Sequence, residues 1–344
     1  MPTKSPTVVL GLGSWGTALA MVLAENGHPV RIWGRDPKQC MEMNELHTNS
    51  RYLPGVVLPP SIYATDDMEE AFFQAENVLY VVPSHAMREV VEKSLPFLRE
   101  GMMIIHATKG LEQGSLKRMS QVIRETVPDS FKEKVAVLSG PSHAEEVAVH
   151  SPTTVVATSE RREVAEYVQD LFINPRFRVY TNPDVIGVEI GGSLKNIIAI
   201  GAGMSDGLGF GDNAKAALLT RGLAEIGRLG VKMGANLYTF AGLTGVGDLI
   251  VTGTSRHSRN WRAGKMLGEG KKLDEVLADM GMVVEGVKTT DAAYRLSIRE
   301  EVDMPITREL YQVLFQGKDP RLAVEDLMGR GRTHEVEETA RLFP

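Results

Sequence analysis

A single cysteine, Cys40, is all the thiol chemistry that this 344-residue chain holds. It excludes an internal disulfide and makes a thiolate metal site implausible. The eight histidines form no obvious cluster at metal-ligand spacing, so no metal is expected. Basic charge is in deficit: 38 Lys and Arg against 44 Asp and Glu give a formal net charge of −6. A chain-wide basic footprint for nucleic acid is therefore absent, although a local anion pocket is still possible. No segment approaches the roughly 18 uninterrupted apolar residues that span a bilayer. The longest candidate, Ile197 to Met204, is short and flanked by Lys195, Asn196 and Asp206. Met1-Pro2-Thr3-Lys4-Ser5-Pro6 leads into a short apolar strand without a signal-type stretch, which predicts a cytoplasmic, soluble protein without membrane insertion. Tandem repeats and low complexity are missing too. With 43% hydrophobic and 24% charged residues, the composition is globular, and the length fits two domains.

The first half alternates short apolar runs with amphipathic stretches. Strand candidates are Thr7 to Leu10, Val30 to Trp33, Val78 to Val82, Met103 to His106, Val135 to Leu138, Thr153 to Ala157 and Arg178 to Thr181. Helical spacing covers Gly16 to Asn26, closed by Gly27, then Arg88 to Leu98 and Arg161 to Phe172. Strands alternating with helices predict parallel βαβ units in a doubly wound sheet. After Asn182-Pro183 only helix patterns remain: Val185 to Met204, Ala214 to Leu229, Asp274 to Ala278, Gly286 to Ile298, Thr307 to Leu314 and Leu322 to Met328. The chain thus divides into residues 1–182, an α/β domain of Rossmann type, and residues 183–344, an all-helical domain. From about Arg330 it is polar enough to fray. Several apolar helix faces point to a homodimer.

Gly11-Leu12-Gly13-Ser14-Trp15-Gly16 follows a strand and opens a helix, the setting in which a glycine fingerprint binds a dinucleotide. Gly11 permits the turn, Gly13 lets the pyrophosphate approach the backbone, and Gly16 allows helix to pack on strand. Free N–H groups at the helix start then face the phosphate charge. The second strand runs out through Gly34 into Arg35 and Asp36. A guanidinium at Arg35 can stack on adenine and pair with a 2′-phosphate, which favours NADPH over NADH; the alternative is a solvated surface arginine. Asp36 either contacts the ribose or caps the next helix.

Other strands end in Pro83-Ser84-His85, Ala107-Thr108-Lys109-Gly110 and Ser139-Gly140-Pro141-Ser142-His143-Ala144, all on the edge where ligands of parallel sheets bind. The anomaly of the second half is Lys195, set among Ile190, Leu194, Ile197 and Ile198. If that helix is buried, desolvation lowers the pKa of the amine and suits it to proton transfer near neutral pH. Otherwise the side chain snorkels to the surface. Gly245-Val246-Gly247-Asp248 follows. Ser255 to Arg262 then gathers Arg256, Arg259 and Arg262 with hydroxyl and amide donors at a helix start, either a phosphate site or a solvated basic helix.

Taken together, these motifs resemble the bacterial NAD(P)-dependent glycerol-3-phosphate dehydrogenases from Gly11 to about Arg332: G-S-W-G-T-A-L-A, V-V-P-S-H, A-T-K-G-L-E, S-G-P-S, G-G-S-L-K-N, G-A-G-M-S-D-G, G-D-L and S-R-N. The resemblance implies reversible reduction of dihydroxyacetone phosphate to sn-glycerol 3-phosphate for phospholipid backbones. It also implies a helical domain like that of 6-phosphogluconate dehydrogenase. Carried over residue by residue, the proton-transferring lysine falls on Lys195, and Lys109 and Asp248 support the reacting centre. Cofactor contacts fall on Ser14, Trp15, Arg35, Tyr52, Lys109, Ala144, Arg259, Val283 and Glu285. Substrate contacts fall on Lys109, Gly140, Ser142, Asp248, Ser258, Arg259 and Asn260. Gly253 departs from relatives that carry cysteine there. The competing readings are a hydroxyacid or sugar-acid dehydrogenase of the same architecture, and a dinucleotide-sensing regulator without catalysis.

Overall fold

The structure, a computed structural model, describes residues 4–332, 334 and 335. Most of the polar tail beyond Arg330 lies outside the described residues. Chain order begins β1 (Thr7–Leu10), α1 (Ser14–Glu25), β2 (Val30–Trp33), α2 (Pro37–Glu45), β3 (Thr48–Asn49), β4 (Leu53–Val57), β5 (Ile62–Thr65) and α3 (Met68–Phe72). It continues β6 (Asn77–Tyr80), α4 (Met87–Ser94), β7 (Met103–His106), α5 (Met119–Thr126), α6 (Asp129–Lys132), β8 (Val135–Ser139), α7 (Ala144–Ala148), β9 (Thr153–Thr158), α8 (Arg162–Phe172) and β10 (Phe177–Asn182). Only helices follow among the described residues: α9 (Val185–Gly207), α10 (Asp212–Lys232), α11 (Leu237–Phe240), α12 (Asp248–Thr254), α13 (Arg259–Gly268), α14 (Leu273–Met280), α15 (Glu285–Arg299), α16 (Pro305–Gln316) and α17 (Pro320–Met328).

Eight strands form one sheet in the order β10-β9-β8-β7-β6-β1-β2-β5. Successive side chains of a strand point to opposite faces, and both faces here are apolar. Val9, Ile32, Leu79 and Ile105 meet Leu19 and Leu23 of α1 and Val168 and Phe172 of α8. Val8, Leu10, Val78, Tyr80 and Ile104 meet Val91 of α4 and Val122 of α5 on the other side. The sheet is thus covered on both faces. From β1 the chain winds one way through β2 and β5 and the other way through β6, so the switch point lies where β1 and β6 pair in parallel.

The sheet departs from the all-parallel expectation at one seam: β9 pairs with β8 antiparallel, and β10 follows β9 in parallel. The β8–β9 connection holds only the five-residue helix α7. That helix rises about 7.5 Å, too little to carry the chain back along a strand of about 17 Å. The chain therefore reverses beside β8 instead of crossing over. The β3–β4 hairpin pairs antiparallel and β5 adds an edge strand on β2; neither was anticipated. Helix α4 stops at Ser94 instead of running to Leu98, because Pro96 has no N–H to donate to Glu92, and Leu95–Phe97 tightens into a 3-10 turn.

Helix α9 is the axle of the second half, buried from Gly187 through Ser205. By length and composition alone it could cross a membrane, yet 89% of its apolar window is inside the protein. It packs against α10, α12, α13 and α15. The contact with α13 is backbone to backbone: a Cβ on Gly203 would lie 2.0 Å from the Trp261 carbonyl oxygen, and one on Gly264 would lie 2.0 Å from that of Ile200. This seats the start of α13 against the middle of α9.

Candidate active site

At the C-terminal end of β1, Gly11 has φ +131°, and a Cβ there would sit 2.3 Å from the Val81 carbonyl oxygen. A Cβ on Gly16 would meet the Gly11 carbonyl oxygen at 2.1 Å, whereas Gly13 has nothing within 4 Å of the same position. Two glycines close the turn and the third leaves it open. Gly13 is the N-cap of α1 and offers no side chain to the first amides. These are the requirements of a pyrophosphate cradle. Beside it, the buried Trp15 indole N–H has no partner. The residues present therefore fit a dinucleotide, which Gly13, Ser14 and Trp15 would hold through the helix start.

Arg35 is exposed at the end of β2. The ambiguity of Asp36 resolves locally: its Oδ1 accepts from the Lys38 N–H at 3.1 Å, capping α2. Tyr52 is half-buried, its ring centroid 5.2 Å from the Arg51 guanidinium carbon, and is not among the residues lining the cleft. Glu285 opens α15 and accepts from the Ser84 hydroxyl at 3.0 Å; burial pushes its carboxyl up. Val283 is partly exposed, and its carbonyl accepts from Arg259 Nη1 at 3.4 Å.

Between the sheet edge and α9 lies a cleft of about 130 Å³. Ser14, Trp15, Ser142, Ala144, Lys195, Asp248, Ser258, Arg259 and Asn260, all singled out in the sequence, line it. Lys195 does not snorkel: it is 5% exposed. Its Nζ donates to Asp248 Oδ1 and, at 2.6 Å, to Thr252 Oγ1. Lys109 Nζ donates to the other oxygen, Asp248 Oδ2, at 2.8 Å, and to the Gly140 carbonyl at 2.9 Å. One fully buried carboxylate thus holds two ammonium groups from opposite halves of the chain. Burial pushes the Lys195 amine down to about 7, with Lys109 adding to the fall and Asp248 opposing it.

A π-helical turn, Leu243–Gly247, leads directly into Asp248 and α12. Ser258 caps α13, accepting from the Trp261 N–H at 3.2 Å. Arg259 is the first helical residue there, so guanidinium, hydroxyl and free amides converge at one helix start. Asn260 is more constrained than its motif suggested. Its Nδ2 donates to Asn196 Oδ1 at 2.9 Å, and its Oδ1 accepts from the Gly286 N–H at 2.9 Å, joining α13 to α9 and α15. Ser142 Oγ donates to the Gly140 carbonyl at 3.0 Å.

Sequence reading overlooked several participants. Thr252 stands one turn after Asp248, a spacing that places both on one helix face. Asn196 adjoins Lys195 in the same motif. His143 and His257 face each other across the cleft wall with ring centroids 5.9 Å apart. Among the described residues no group of His, Cys, Asp and Glu could hold a metal ion.

A doubly wound sheet with a glycine cradle at its switch point, facing a buried amine on a helical domain, defines a dinucleotide-dependent oxidoreductase. Comparison with known proteins agrees. Two family models, described as the N-terminus and the C-terminus of NAD-dependent glycerol-3-phosphate dehydrogenase, match residues 6–165 and 184–325. The glycerol-3-phosphate dehydrogenase (NAD(P)+) of Bacillus mycoides is 62% identical over 329 residues, 96% of this chain and 97% of that one. Its counterpart in Bacillus subtilis is 58% identical over 335 residues, covering 97% of each. The crystal structure of glycerol-3-phosphate dehydrogenase from Coxiella burnetii superposes with a TM-score of 0.91 at 40% identity, covering 96% of this chain and all (100%) of that one. The chain belongs to the NAD-dependent glycerol-3-phosphate dehydrogenase family. It is an enzyme that uses NAD or NADP.

Proposed function

We propose that the enzyme reversibly reduces dihydroxyacetone phosphate to sn-glycerol 3-phosphate, with Lys195 as proton donor. The observation that carries this reading is the buried Lys195 amine, poised near neutral pH and tied to Lys109 through Asp248. The bound dinucleotide would supply the hydride. Lys195 Nζ gives its proton to the developing alkoxide oxygen and, in the oxidative direction, takes the hydroxyl proton back. Asp248 holds both ammonium groups in place beforehand, so their charge is available in the transition state without reorganisation. Lys109 supplies the second positive charge near the reacting oxygen. Arg259 and Ser258 grip the phosphate at the start of α13, and Asn260 fixes that start against α9.

Arg35 at the β2 end supports a preference for NADPH. The same reading places the enzyme in the cytoplasm, feeding glycerophospholipid synthesis, as a homodimer, with the domain division between Asn182 and Pro183. Initial rates with dihydroxyacetone phosphate and each reduced cofactor, followed by absorbance of the nicotinamide, test it. Turnover with the phosphorylated ketone and little with a 2-keto acid of similar size is the expected result. The reverse order of substrates would overturn the assignment.

A further inference from the structure

Six residues before Lys195 on α9 sits a second buried charge, which the reaction itself does not use. Glu189 is 6% exposed, and every contact of its carboxylate comes from the other half of the chain. Oε1 accepts from the Ser120 N–H at 2.8 Å, and Oε2 accepts from the Ser120 hydroxyl at 2.6 Å and from Arg118 Nη1. His106 Nε2 lies 3.3 Å from Oε1. Burial opposes ionisation here, but His106, Arg118 and Ser120 outweigh it and hold the carboxyl down at about 2. The charge is therefore permanent at working pH. It sits at the N-terminus of α5, where the backbone presents free N–H groups, so a residue of the helical domain caps a helix of the Rossmann domain.

One of these neighbours, and a second side chain on the same face of α9, stand close to the reacting centre. His106 ends β7, three residues before Lys109. Ser193, one turn beyond Glu189 on the same face of α9, accepts from the Gly110 N–H at 2.8 Å and donates to the Gly110 carbonyl at 3.2 Å. The loop carrying Lys109 is thus joined to α9 at Ser193, one turn from the bonds that Glu189 makes to the start of α5.

We infer that Glu189 is a positioning residue: by pinning α9 to the start of α5, it sets where Lys195 stands relative to Lys109 and Asp248. This rests on the proton-transfer role given to Lys195. Apolar packing is non-directional and would let a cylinder such as α9 turn slightly about its axis. A rotation of about 10° moves a group ~6 Å from the axis by ~1 Å. A misplacement of that size costs up to about 10²-fold in rate. Directed bonds to a carboxylate resist that rotation.

The test uses the full-length enzyme with Glu189→Gln, Ser120→Ala and, as reference, Lys195→Ala. In Glu189→Gln, kcat should fall about 10- to 100-fold, with KM for dihydroxyacetone phosphate and the dissociation constant of the reduced dinucleotide within about twofold. Ser120→Ala removes the hydroxyl's bond to Glu189 and the one it accepts from Arg118, and leaves the ion pair, so a loss of about threefold in kcat is expected; it decides the matter if Glu189→Gln does not fold. Folded variants with wild-type kcat, or with KM and dinucleotide affinity lost in step with kcat, overturn the positioning role. Lys195→Ala with wild-type turnover would overturn the proton assignment and the inference with it. Lys195→Ala inactive beside a fully active Glu189→Gln overturns the inference alone.

Discussion

Replacing Lys195 by Met removes the amine and keeps most of the apolar stem. Asp248 retains Lys109 at 2.8 Å, so the buried carboxylate does not lose all its charge partners and the fold should persist. General acid–base catalysis contributes about 10²- to 10⁴-fold, which corresponds to about 3–5 kcal/mol of transition-state stabilisation. Turnover should drop by that factor while the dinucleotide still binds. The pH dependence is the sharper signature. With its amine pushed down to about 7, Lys195 is protonated below that pH and neutral above it. Reduction needs the protonated form, so kcat/KM for dihydroxyacetone phosphate should fall as pH rises through 7. Oxidation of glycerol 3-phosphate needs the neutral form and should rise over the same interval. Both limbs should vanish in Lys195→Met, measured by nicotinamide absorbance between pH 5.5 and 9. A variant within about tenfold of wild type, or one that keeps both limbs, would refute the role.

Three further outcomes follow from the geometry. Arg259→Ala should raise KM for dihydroxyacetone phosphate by about 10- to 100-fold, the worth of a charge-assisted contact, and leave unphosphorylated dihydroxyacetone unaffected; equal losses on both would count against the phosphate role. Arg35→Ala should lower the NADPH-to-NADH ratio of kcat/KM, and an unchanged ratio would reject the 2′-phosphate argument. Glu225 accepts from the Ile306 and Thr307 N–H groups at the start of α16, and burial pushes its carboxyl up to about 7. The folded protein then holds a proton that the unfolded chain has released between pH 4.5 and 7. Stability from this group is present below pH 4.5 and is lost as pH rises through 7. Melting curves of Glu225→Gln should lack that loss relative to wild type, and parallel curves would refute it.

The glycine fingerprint, the strand ends and the core-facing helices were legible because local periodicity and turn chemistry encode them. Lys195 was legible as a lysine among isoleucines, but its burial was not: whether α9 sits at the centre or the surface depends on which helices surround it. Strand direction was illegible for a related reason. Thr153 to Ala157 reads the same in either direction, and only the short connection after β8 decides against a crossover. The β4 hairpin strand contains Pro54 and Gly55 and buries little beyond Leu53, so it carries no alternation to read. Asp36 looked equally suited to ribose or helix cap until the Lys38 amide claimed it. The pairing of Glu189 with Arg118 and that of Ser193 with Gly110 join residues 71 and 83 positions apart, beyond the reach of any local pattern.

The single carboxylate of Asp248 between two lysines has an electrical consequence. With both amines protonated the trio carries a formal surplus of one positive charge. On the proposed chemistry that surplus disappears at the moment Lys195 surrenders its proton. An anionic ligand is therefore held most firmly before reduction and more loosely after it, so the proton that completes the product also eases its departure.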